Sequence, residues 1–258
     1  MEPPTLFFGN ATLGAREGTP AVPVSRWLMG ALVIGLGYVF VKIEEQARNP
    51  ILDFSLLKIR TFWAANLASF LTFIAYSSMN VLMPFFLEEV LKFSPEKAGL
   101  FMTAVPLTVF VVAPISGRIS DRIGSQGITL LGALVGATGL FVMGGAFGLG
   151  IHERVSHPSI LVGLCSIGLA TGLFQSPNNS AIMGAVPLEK LGVASALLAT
   201  IRNLGLVTGT SVSTGLFEWR RALTGDFVSA LHFAFFFGGV VALGAMLASL
   251  GRKTEAKT

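Results

Sequence analysis

Charge is scarce in this sequence. Only 12% of its 258 residues are Asp, Glu, Lys or Arg, about half the roughly 25% carried by an ordinary soluble domain. In their place 52% are hydrophobic, and mean hydropathy is +0.72. That balance excludes a water-soluble fold with a polar shell. Cysteine is almost absent too: Cys165 alone can build neither a disulfide framework nor a thiolate metal site. Lying inside an apolar run, it is expected to be a small buried apolar residue. No Walker P-loop, HExxH or GxSxG occurs, and His152 and His157 have no third plausible ligand nearby. Enzyme chemistry, a bound metal and a cofactor are therefore not expected. The net charge of +4 comes from basic residues spread over many polar connections without interleaved aromatics, unlike a nucleic-acid-binding face. Residues 1–23 lack a basic stretch followed by an apolar core, so they read as a flexible lead-in rather than a cleavable leader.

What the chain does have is long apolar runs. Seven can be marked: Trp27 to Val41, Phe62 to Phe86, Ala98 to Ile115, Ile128 to Ile151, Ile160 to Met183, Val193 to Phe217 and Phe227 to Leu250. A helix of about 20 residues crosses a hydrocarbon core of about 30 Å. The runs do not alternate as barrel strands would, so the fold class is all-α, a polytopic membrane bundle of about seven helices. The first, within 24–42, is short and needs Arg26 and Lys42 to snorkel to opposite surfaces. Glycines recur four apart at Gly132/Gly136, Gly168/Gly172 and Gly205/Gly209. That spacing lets helix backbones approach closely in lipid.

The few charges fall almost entirely between the runs. Lys and Arg number ten on the side of the C-terminal tail (252–258) and seven on the other, with Arg202 inside a run. The positive-inside rule then places the C-terminus in the cytoplasm and the N-terminus outside. Between the first two runs, residues 43–60 place Ile51, Phe54 and Leu57 on one helical face flanked by Lys58 and Arg60, a pattern for an amphipathic helix on the cytoplasmic surface.

The densest charge cluster is GRISDRIGSQG, Gly117 to Gly127. By spacing alone it reads as a solvated, positive-inside connection in which Gly117 and Gly124 permit tight chain reversal. Its pattern of Gly117, Asp121, Arg122 and Gly124 also resembles the signature loop between the second and third helices of a half of the major facilitator superfamily. The flanking text agrees: IEEQARNPILDFSLLKIRTF, MPFFLEEVLKFSPEKAGLFMTAVPLTVFVVAPISGRISDRIG and SPNNSAIMGAVPLEKLGVASALLATIRNLGLVTG occur in the order of the C-terminal half of the superfamily's fourteen-helix drug:proton antiporters. The resemblance extends from Trp27 to the end of the chain. It implies that Asp121 and Arg122 form a conformational latch between helix ends, although Ser125 and Gln126 stand where that family usually has basic residues.

Inside the runs, polar residues are few enough to weigh singly. Arg202 lies about eleven residues, or roughly 16 Å, into its run, near the bilayer midplane. A charge there faces a cavity or a partner, so Arg202, with Asn203 beside it, either lines a substrate path or is satisfied by helix-end carbonyls and neighbouring side chains. Gln175, Asn178 and Asn179 share a helix face beside Pro177. They fit a cavity lining, a flexing gate or interhelical glue. His232 suits either a proton relay or packing at the interface. No run has an Asp or Glu near its middle, although proton coupling usually uses such a carboxylate.

The resemblance implies proton-driven export of lipophilic or cationic small molecules by alternating access, from the inner membrane, with no cofactor beyond the proton gradient. In that superfamily substrate binds between two six-helix halves. This chain matches one half, 61–251, plus an accessory helix, and the expectation is a truncated antiporter that works with a separate N-terminal half or a second copy of itself. The alternative is a non-transporting membrane subunit or an inactive remnant.

Overall fold

A computed structural model describes residues 58–145 and 157–251, together with residues 31, 32, 35, 36, 38, 39, 42 and 56. The chain divides into two units, Met1–Leu52 and Asp53–Thr258. In the first, the described residues are helical, and Leu32, Leu36, Tyr38 and Val39 are exposed. The rest of the expected first span, most of the amphipathic segment 43–60, and the tail 252–258 lie outside the described residues.

The second unit is a helical bundle: α1 Arg60–Phe85, α2 Pro95–Met102, α3 Ala104–Ile123, α4 Ser125–Met143, α5 His157–Gly184, α6 Leu191–Thr224 and α7 Phe227–Leu250. With α2 and α3 counted as one span, six are long and apolar enough to cross a membrane among the described residues. The protein is an integral membrane protein of all-α class. α1 packs against α5, α6 and α7, α4 against α5 and α7, and α3 against α5. The central core gathers Met79, Leu82, Met83 and Phe86 from the α1 end, Leu140 from α4, Leu164 and Ile167 from α5, and Leu231 and Phe235 from α7.

Local chemistry sets the helix ends. Ser94 caps α2 by accepting from the Lys97 amide at 3.3 Å, with Pro95 at the first helical position. Pro106 lacks an N–H and crowds the carbonyl four residues earlier, which accounts for the break at Thr103 between α2 and α3. Asp226 caps α7 through the Val228 and Ser229 amides at 3.1 and 2.9 Å. At the other end of α7 the carbonyls of Ser249 and Gly251 accept from Gln126 Nε2 at 3.4 Å and Arg60 Nε at 2.8 Å. A cation and an amide thus satisfy the orphan carbonyls of a helix C-terminus.

Two expectations change. The cluster Gly117–Gly127 is not a loop: α3 continues through Ile123, α4 begins at Ser125, and Gly124 alone connects them. Gly124 has φ +94° and ψ 151°, a conformation open essentially only to glycine. Gly117 lies inside α3 and takes no part in the reversal; a side chain there would meet the Ser176 hydroxyl of α5 at 2.9 Å. Charged residues carry no penalty on a helix that extends past the hydrocarbon, and Arg118, Asp121 and Arg122 are all exposed. Pro177 lies inside α5, which runs unbroken over 28 residues. The second change concerns Cys165, which is exposed rather than buried; it shares an outward face of α5 with Leu161, Val162 and Leu169. In lipid an apolar side chain has no reason to turn inward, so apolar context could not predict its burial.

Candidate functional site

The polar residues singled out within the spans converge on α1. One row of this helix, Ala65, Ser69, Phe73 and Ser77, repeats every four residues and so forms a continuous ridge. From α5, Asn178 reaches its lower half: Nδ2 donates to the Ser69 hydroxyl at 2.7 Å and to the Ala65 carbonyl at 3.2 Å. One turn further along, the guanidinium of Arg202 on α6 lies 5.0 Å from the Phe73 ring centroid, within cation–π range. A further turn on, the single Ser77 hydroxyl proton is shared between the Phe73 carbonyl of its own helix at 2.6 Å and the Leu206 carbonyl of α6 at 3.3 Å.

Gly205 and Gly209 make that approach possible. A side chain at Gly205 would meet the Phe70 carbonyl at 2.8 Å, and one at Gly209 would meet the Ser77 hydroxyl at 2.5 Å and Ile74 Cα at 2.6 Å. They belong to a buried row of α6, continued by Ser213 and Phe217 at the same spacing. The other two glycine pairs seat other helices. Gly132 lies against the backbone of α5 at Leu173 and Phe174, and a side chain at Gly136 would meet the Tyr76 hydroxyl. Gly168 and Gly172 lie against Thr108 and Val112 of α3, where the Ser116 hydroxyl also donates to the Gly172 carbonyl at 2.7 Å. All three pairs occupy helix seams.

Arg202 is half-buried and is the one charged residue of α6 between Leu191 and Phe217. α6 runs over 34 residues from Leu191 to Thr224, and Arg202 lies within about 8 Å of its midpoint along the axis. Asn203 is exposed on the adjoining face. Gln175 and Asn179 are half-buried on α5, whereas Asn178 between them in the helical turn is fully buried. α5 and α6 both pack on α1 and touch each other little. The structure thus brings Asn178 and Arg202 to a shared ridge, and gives Gln175, Asn179 and Asn203 more open positions.

Asp121 and Arg122 stand on the last turn of α3, at the end of the bundle marked by Gly124. A cation is favoured there by the helix dipole and a carboxylate is not, so Asp121 gains from a cationic neighbour. His232 lies at the opposite end, near the start of α7, where its ring would contact any side chain at Gly145. Acidic residues of the described spans, such as Glu89, Glu96, Asp121 and Glu218, stand toward span ends. Among the described residues no three His, Cys, Asp or Glu side chains are grouped to hold a metal.

Sequence reasoning passed over Ser69, Phe73 and Ser77, which do much of the holding. The available signal was the small residues Ala65, Ser69 and Ser77 at four-residue multiples, the counterpart on α1 of the glycine pair on α6.

Comparison with known proteins adds a family and a set of relatives. The sequence profile of the Major Facilitator Superfamily matches residues 27–210. The riboflavin transporter RibZ of Clostridioides difficile is 31% identical over 195 residues, 75% of this chain and 41% of that protein. The uncharacterized transporter YebQ of Escherichia coli is 32% identical over 212 residues, 80% of this chain and 44% of that protein. The multidrug resistance protein Stp of Mycobacterium tuberculosis is 31% identical over 175 residues, 67% and 31% of the two chains. The chain thus spans less than half the length of these curated relatives.

Proposed function

Because the chain belongs to the major facilitator superfamily, we propose that it forms part of a secondary active transporter that exports small lipophilic or cationic compounds by alternating access, driven by inward proton flow. The relatives named for multidrug resistance and efflux support the substrate class. The observation that carries the site is Arg202: a cation near the middle of a membrane helix, kept at a helix seam by an aromatic face, with exposed Asn203 beside it. A buried charge is costly in hydrocarbon unless it faces water or a partner, and a substrate path supplies both.

In this reading a second six-helix half closes the cavity. α3 and α6 support that arrangement, since Leu107, Phe110, Ile115, Leu204 and Val207 leave their outer faces uncovered. Asp121 and Arg122 act as the latch whose contacts break as the halves rock. Gln175 and Asn179 border the path from α5. The membrane is the inner one, with the Gly124 end of the bundle and the C-terminus in the cytoplasm. The proton-coupling group lies on the facing half, because acidic residues on the described spans stand toward their ends.

The test is dye efflux from vesicles under an imposed proton gradient, with the chain alone and with a matching N-terminal half. Gradient-dependent efflux that needs the second half, and that Arg202→Ala abolishes at equal expression, is the expected result. Efflux unaffected by Arg202→Ala removes the site assignment, and no efflux in either preparation removes the transporter reading in favour of a non-transporting subunit.

A further inference from the structure

The end of the bundle away from Gly124 holds a feature that the transport reading does not use. A shallow cavity of about 240 Å³, widely open to the surface, lies between the end of α4 and the α6–α7 hairpin, lined by Gly144, Arg220, Ser229, His232, Phe233 and Phe236. Gly144 is packed against the α7 backbone, with a side chain there meeting Phe236 N at 3.0 Å and the His232 carbonyl at 3.1 Å. The cavity wall is therefore built of tightly apposed helices. Among the described residues Arg220 Nε is buried in it with no hydrogen-bond partner, although the Arg220 guanidinium lies 5.8 Å from the Phe233 ring. A buried guanidinium N–H without an acceptor is a standing free-energy cost. It marks a place where an acceptor fits.

We propose that this cavity binds the phosphodiester of a membrane phospholipid, with Arg220 and the Ser229 hydroxyl as donors. The charge balance favours an anion. Asp226, the nearest carboxylate in sequence to Ser229, is occupied by the first amides of α7, and Glu218 projects from a different side of α6, two residues or about 200° from Arg220. Position favours a lipid over a free anion. Arg220 lies about 19 Å from the mid-length of its helix, beyond the edge of a hydrocarbon core of about 30 Å and in the headgroup layer. Below the cavity Phe236, Val240 and Leu247 form one exposed apolar face of α7, with exposures of 49%, 49% and 63%. An acyl chain can follow that face while its phosphate sits in the basic pocket. Aromatic and basic side chains concentrated at a helix end are the usual elements of such recognition.

The experiment titrates phosphatidylglycerol into the purified full chain in detergent and reads bound lipid by native mass spectrometry and thermal stability. One phospholipid per chain binds more tightly than the rest. Arg220→Gln weakens that site about tenfold, as expected for loss of a charge-assisted hydrogen bond, while Lys190→Gln, the same charge change at the opposite end, leaves it intact. Should Arg220→Gln not fold, Ser229→Ala supplies the test with a loss of about threefold. Wild-type lipid affinity in either folded variant overturns the proposal. Inorganic phosphate that stabilises the protein as well as the lipid does, at equal phosphate, overturns the lipid assignment in favour of a free anion. This outcome is independent of transport.

Discussion

Asn178 and Arg202 are held one helical turn apart on the same ridge of α1, the first by the Ser69 hydroxyl at 2.7 Å and the second over the Phe73 ring at 5.0 Å. They come from different helices, α5 and α6, which touch each other little. α1 is therefore the common partner through which the two polar helices are joined. In the proposed transport cycle, rocking of a half as one body requires such ties, because α5 and α6 would otherwise shift separately under load.

Replacing Asn178 with Leu removes the tie between α5 and α1. The Ser69 hydroxyl and the Ala65 carbonyl lose a shared donor, and interhelical bonds in membranes average about 0.6 kcal/mol with a maximum near 1.7. The expected loss is about 1 kcal/mol, read as a lower midpoint of unfolding in detergent. Asn178→Gln, whose longer amide overshoots Ser69, recovers little of it. A midpoint unchanged in Asn178→Leu would show that the bond does not hold the helices.

Two glycines of α6 give opposite outcomes when changed to Ala. Gly209 faces the backbone of α1, with Ile74 Cα 2.6 Å from where a side chain would begin, whereas Gly215 has nothing within 4 Å. Gly209→Ala therefore pushes α6 off α1 and costs about 1–3 kcal/mol, as overpacking does. Gly215→Ala gains up to about 1 kcal/mol from reduced chain entropy. Parallel melting curves check both, and a neutral Gly209→Ala would mean that the seam yields.

These contrasts show how far the sequence could be read. Gly205 and Gly209 were legible because close helix approach in lipid demands small residues at a fixed spacing, and the spacing is visible in one dimension. Arg202 was legible because charge in an apolar run is rare. The partners were not: Phe73 is one of 21 phenylalanines, and nothing local distinguishes the ring that stacks on a cation from the rest. Nor was the end of α3, since the charged residues Arg118 to Arg122 suit a solvated helix as well as a loop. Cys165 failed for a related reason, because apolarity does not separate the inside of the bundle from its lipid-facing surface.

Gly124→Ala tests the single-residue connection between α3 and α4. Space is not limiting, with no atom of the described residues within 4 Å of the added carbon; the backbone at φ +94° is. Such conformations cost non-glycine residues about 1–3 kcal/mol. Lower thermal stability by that amount is expected, along with faster proteolysis at this end of the bundle. Full stability in Gly124→Ala would mean that the turn has another conformation available.

Cys165 and Leu164 are adjacent yet should respond differently. Leu164 is 0% exposed and packs in the central core, so Leu164→Ala costs about 2–5 kcal/mol. Cys165 points outward, eight residues or about 12 Å along α5 from His157, and Cys165→Ala stays within about 0.5 kcal/mol. In sealed vesicles a charged thiol reagent should not reach it from either side. Labelling by such a reagent would place this face of α5 against water instead of lipid.

The contact between Arg202 and Phe73 can be weighed by a double-mutant cycle. If the aromatic face is what holds the cation at mid-membrane, Arg202→Met and Phe73→Leu each remove the same interaction, and the double variant is less damaged than the two losses added. A cation–π contact contributes about 0.5–1 kcal/mol when exposed and about 2 when desolvated, so half-buried Arg202 should give a coupling of about 1 kcal/mol in unfolding free energy. Arg202→Lys separates charge from shape: the ammonium still interacts with the ring, so stability falls less than in Arg202→Met, while the planar, multiply donating fork is gone. Transport lost in Arg202→Lys with stability retained would place the function of Arg202 in its hydrogen bonds to substrate or water. Zero coupling with Phe73 would mean that the charge is held by something other than the ring it faces.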